Sequence, residues 1–70
     1  MKGYDKLGDF GQQVFDRTHK RHLAAMGTAE KPKYHRDRIK SVRANNKERC
    51  IEVKFNNGEL FKYYADGTWG

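Results

Sequence analysis

The sequence has one cysteine, Cys50, one proline, Pro32, and no long apolar run. A single thiol permits no internal disulfide, which fits a reducing compartment and argues against secretion. A bilayer-spanning helix needs about 20 apolar residues in a row, so none is expected. Met1 to Phe10 holds no apolar h-region, so no signal peptide is expected either. The chain therefore reads as a soluble, cytoplasmic protein. Leu, Ile, Val and Phe are few; apolar residues are 36% of the chain and mean hydropathy is -1.12. That composition drifts toward disorder. Its length of 70 residues excludes a two-domain enzyme, a doubly wound sheet and a large substrate cavity.

Aromatic residues, at 13%, are what the chain does have, and most fall in patterned segments. A small single domain over 1–70 with a thin core is the better reading. Such a core supplies only about 3–5 kcal/mol. Residues 1–8 read as a flexible lead-in, with Tyr4 and Leu7 as possible anchors. Residues 9–27 read as a helix. Asp9 has the character of an N-cap, Gln12 stands at capping-box spacing, and Gly27 suits the position just past the end. At about 100° per residue, Phe10, Val14, Phe15, Thr18, His22, Ala25 and Met26 share one arc. Leu23 falls on the polar side, Arg21 within the apolar arc, and Gly11 weakens the helix. Residues 27–37 read as an extended basic connection.

Residues 38–70 read as an antiparallel β-meander. Ile51, Val53 and Phe55 alternate with Cys50, Glu52 and Lys54, and Asn56-Asn57-Gly58 marks a hairpin. Two registers compete. A two-residue turn would pair Phe55 with Leu60 and put Lys62 on the apolar face. A three-residue loop with Gly58 at positive φ pairs Val53 with Phe61, Ile51 with Tyr63 and Glu52 with Lys62. The second keeps most charge off the buried face and is preferred, although it leaves Leu60 outside. Asp66-Gly67 marks a further turn, after which Thr68-Trp69 folds back as a stub. Arg38 to Ala44 supplies a third strand of open register, because Ile39 and Val42 have opposite parity. The expected fold class is α+β: one N-terminal amphipathic helix packed on a three-stranded antiparallel β-meander.

Catalytic chemistry finds little support. GxSxG, P-loop, GxGxxG and HExxH motifs are missing, and the carboxylates are dispersed. His19 and His22 stand at i, i+3, with His35 and Cys50 elsewhere, but this is no zinc-finger spacing. A hydrogen-bonded core histidine is the stronger reading of His22. Cys50, placed on the outer sheet face, reads as an inert, semi-exposed thiol. The expectation is a non-enzyme without metal, cofactor or small-molecule substrate.

Positive charge is the strongest signal. Lys and Arg number 15 against 9 acids, for a net charge of +6 and a pI near 9.7. From Arg17 to Lys47 the only acids are Glu30 and Asp37. Arg17, Lys20 and Arg21 fall on the helix. Lys33, Arg36, Arg38, Lys40 and Arg43 follow through the connection and first strand, and Lys54 lies on the hairpin. Tyr34 in the connection, with Tyr64 and Trp69 on or near the outer sheet face, could stack bases. Such cations attract polyanions. The function expected is therefore a small basic binding module contacting DNA or RNA. The alternative is a phage or mobile-element accessory protein that modulates a larger host protein by docking on its acidic surface.

Overall fold

A helix with one apolar stripe and a hairpin with one apolar face are each unstable alone in water. In the computed structural model, which describes residues 1–70, the two are pressed together. Helix α1 spans Gly8–Ala24. Strands β1 (Ile39–Asn45), β2 (Cys50–Phe55) and β3 (Leu60–Tyr64) form an antiparallel sheet in the order β1-β2-β3. This is the expected α+β architecture. Val14 and Phe15 of α1 join Ile39, Val42, Ile51, Val53, Phe55 and Tyr63 of the sheet in one apolar cluster. Thr18, His19 and His22 are buried with them.

The β2–β3 hairpin has the preferred register. Val53 faces Phe61, Ile51 faces Tyr63 and Glu52 faces Lys62. Gly58 has φ +91°, a conformation that suits glycine. Leu60 is 53% exposed, as that register requires. Strand β1 reconciles its two parities with a bulge. Ile39 pairs with Phe55, but Ser41 pairs with Lys54 and Val42 with Val53, so Lys40 is the extra residue. Ile39 and Val42 are thereby both buried.

Both sheet edges are closed by main chain. Beside β1, the Lys2 N–H donates to the Lys40 carbonyl at 3.1 Å, and the Val42 N–H donates to the Lys2 carbonyl at 2.8 Å. Gly3 makes this approach possible. Its φ is +94°, and an added Cβ would collide with the Val42 carbonyl oxygen. Beside β3, the Lys62 and Gly70 N–H groups donate to each other's carbonyls at 2.9 and 3.0 Å. The Tyr64 N–H donates to the Thr68 carbonyl at 2.9 Å, and Trp69 lies opposite Tyr63. The stub after Asp66-Gly67 is thus a fourth, very short, sheet element.

Several expectations are corrected. Residues 1–8 are not a bare lead-in: Tyr4–Leu7 forms a turn of 3-10 helix that runs into α1. Leu7 takes the N-cap position with no side-chain cap, so Asp9 lies inside the first turn. The Gln12 amide instead donates to the Tyr4 carbonyl at 3.1 Å. At the other end α1 stops at Ala24, before Gly27, whose carbonyl accepts from the Glu30 and Lys31 N–H groups. The connection is not extended, because 3-10 turns at Lys31–Tyr34 and Arg36–Arg38 shorten it. Phe10 is 71% exposed rather than in the core. The buried arc runs from Val14 round to His19, and at 100° per residue Phe10 lies roughly 110° from its centre. Leu23 and Met26 are half-buried against the core.

Candidate functional site

Among the groups with reactive chemistry, the buried histidines are satisfied by their neighbours. The His19 Nε2–H donates to the Tyr34 carbonyl at 2.7 Å, and the ring stacks on Phe15 at 5.5 Å between centroids. His22 Nδ1 shares a hydrogen bond of 2.8 Å with the Tyr63 hydroxyl. Rings of Phe61 and Trp69 stand 4.6 and 5.1 Å away from that of His22. Burial lowers the pKa of both histidines and raises that of the Tyr63 phenol. Each of these shifts favours the neutral form in an apolar site. No three His, Cys, Asp or Glu side chains gather as a ligand set. Cys50 is on the outer side but only 6% exposed, not semi-exposed. Burial there raises its pKa and holds it as the thiol.

The aromatic residues offered for stacking are largely taken by the core. Tyr34 is 8% exposed and packs edge-on against Phe55 at 5.0 Å. Its hydroxyl donates to Glu59, which raises the phenol's pKa. Trp69 is half-buried beside His22, on the helix side of the sheet rather than the outer side. Pairing with Tyr63 dictates that placement, because residues directly opposite share a face. Tyr64, opposite Cys50, is the one of the three on the outer face, and it is half-buried.

The acid-poor run from Arg17 to Lys47 is divided by the fold. Arg17, Lys20 and Arg21 lie on the exposed side and margins of α1, with Arg21 resting against Gly67 in the turn that follows β3. Arg17 donates to the Ala65 carbonyl at 2.8 Å. Arg36 is committed: it pairs with Asp16 at 2.9 Å and lies over the Tyr4 ring at 4.6 Å. Lys33 stands 3.7 Å from Glu30. Arg43 pairs with Glu52 at 2.7 Å and Lys62 with Glu48 at 2.6 Å, so the facing Glu52 and Lys62 each take another partner. Exposed pairs of this kind stabilise little, about 0–1 kcal/mol, but they neutralise charge locally.

What remains concentrated is one corner of the sheet. The bulge turns Lys40 and Ser41 both to the outer face, beside Lys54. Arg38 sits at the same end, its carbonyl accepting from the Asn56 N–H at 2.8 Å. Lys2 lies alongside through its backbone bond to Lys40. The side chains of Lys2, Arg38, Lys40 and Lys54 are exposed and make no ion pair or hydrogen bond. Asp37, next to Arg38 in the chain, forms no ion pair either. Nothing local in the sequence marks Lys2, because its approach to the β1 edge rests on backbone pairing with residues far along the chain. The chain matches no protein-family model, no curated protein and no solved structure.

Proposed function

We propose that the protein is a non-enzymatic polyanion-binding module that contacts nucleic acid through the bulged corner of its sheet. The observation that carries this reading is the set of four cations, Lys2, Arg38, Lys40 and Lys54, gathered without carboxylate partners on a face that no other element covers. Unpaired cations release counterions from phosphates without first breaking an ion pair. With Tyr34 and Trp69 in the core, contacts to phosphate dominate and stacking contributes little. Such binding has weak sequence preference.

The test is fluorescence anisotropy on random double- and single-stranded DNA and on RNA across a salt series. Affinity should fall steeply with salt, with a log–log slope of about -0.9 per phosphate neutralised on duplex DNA. Replacing Arg38, Lys40 and Lys54 together by Ser should weaken binding to all sequences alike and flatten that slope. Replacing Arg17, Lys20 and Arg21 should change it much less. Absence of wild-type binding at about 50 mM salt, where phosphate contacts are strong, defeats the reading.

A further inference from the structure

The inner face of the sheet is covered unevenly. Ala44 pairs with Ile51 on that face, yet it is exposed, because α1 stands away from this end of the sheet. A groove of about 390 Å³ opens there between the first turns of the helix and the strands. Leu7, Phe10 and Val14 form one wall, and Ala44, Ile51 and Tyr63 form the other. Gly11 lies in the helix wall with no side chain to fill the space. This volume lies in the usual range of ligand sites, about 300–1,000 Å³.

Arg49 is the only charged residue lining the groove. Its φ is +55°, and it is the single non-glycine residue in that region. The left-handed conformation strains a residue that carries a Cβ. Its guanidinium makes no hydrogen bond or ion pair, and neither does Lys47 in the same turn. Glu48 between them is held by Lys62 at 2.6 Å. An apolar trough with a free guanidinium in its lining is complementary to an apolar group that carries negative charge beside it.

We propose that this groove docks a segment of another protein in which an aromatic or branched aliphatic side chain stands next to carboxylates. The apolar side chain fills the trough and the carboxylates meet Arg49. Phe10 favours a protein over a small amphipathic anion. It lines the trough yet stands largely exposed, so a small molecule seated there would cover only part of its ring, whereas a protein segment would cover the rest as well. Exposed aromatic side chains beside a pocket are typical anchors of protein interfaces. A second copy of this chain fits poorly, because a two-fold contact would bring cationic grooves together on molecules of net charge +6. The groove lies at the opposite end of the sheet from the Lys40–Lys54 corner, so this proposal stands or falls separately from polyanion binding.

The experiment is selection of a random peptide library on the immobilised full chain, with heparin in excess to occupy general cationic sites. Recovered peptides should combine an aromatic or aliphatic residue with Asp or Glu close by. Their affinity should fall by about tenfold or more in Phe10→Ser and in Arg49→Gly. Arg49→Gly relieves the backbone strain while removing the charge, so loss of binding in that variant cannot be loss of fold. Thermal melting of both variants checks this. Failure to enrich any peptide overturns the proposal, as does enrichment of purely acidic peptides that bind Phe10→Ser equally well. Anilinonaphthalene sulfonate, a small amphipathic anion, is the remaining arm. If it binds with the same residue dependence while no peptide does, the site takes small ligands and the protein-docking proposal is wrong.

Discussion

His22 is a polar side chain enclosed almost wholly by rings, and that placement has a consequence for acid stability. Burial disfavours the imidazolium form of His22 and of His19 one turn earlier. In the unfolded chain both titrate near the ordinary value, about 6.5. The folded state binds these protons more weakly, so stability is complete above about pH 6.5 and falls as pH drops through it. The expected result is a urea midpoint that is level from about pH 8 to 7 and declines from about pH 7 to 5. That decline begins before most carboxylates titrate. Glu52 and Asp66, whose pKa values are lowered by hydrogen bonds from Arg43 and Thr68, add their own loss only at lower pH. A midpoint that stays level down to about pH 5 would show that the histidines are not held neutral. His22 reads in the sequence as a core histidine because it shares the apolar arc. His19 does not, because what buries it is Tyr34, brought over by a 3-10 turn that no periodicity reveals.

At the level of elements, the helix and the hairpin were open to reading from sequence, and their contact is testable by one substitution. Val14 is 4% exposed between α1 and the sheet. Val14→Asp buries a charge with no partner and should cost about 4 kcal/mol or more, enough to unfold a domain with so thin a core. Circular dichroism should show a largely unfolded chain, and an unchanged melting curve would place the helix elsewhere. The hairpin register is legible because alternating apolar residues flank a loop whose Gly58 accepts positive φ. Strand β1 is not, since a bulge adds one residue without any local mark, and Lys40 has the same composition as a regular outward position. The pairing of Lys2 with β1 is equally silent in sequence and rests on Gly3. Gly3→Ala should lift this segment from the sheet edge. The expected result is faster hydrogen exchange at the Val42 amide, which donates to Lys2, with the β2–β3 amides little changed. Unaltered exchange at Val42 would mean that the segment tolerates a side chain there.

On the scale of the whole molecule, a helix layer on a sheet layer separates cations that are neighbours in the sequence. Arg17, Lys20 and Arg21 face one way; Lys40 and Lys54 face the other. A count of charge along the chain shows that the protein is basic, but the assembly of Lys2, Arg38, Lys40 and Lys54 depends on backbone pairing between distant residues. The aromatic rings are redistributed for a related reason: a chain this short needs nearly every ring for its core, and Tyr34 and Trp69 are drawn in. The closed rims of the sheet carry a further consequence, for how the protein keeps apart from its own copies. An open strand invites another chain to hydrogen-bond along it and begin a polymer. Here residues 68–70 occupy the amides of Lys62 and Tyr64 that such a polymer would use. Deleting Thr68 to Gly70 should therefore turn a monodisperse solution into one that scatters light and grows with concentration and time. If the shortened chain stays monodisperse, those three residues are not what guards the edge.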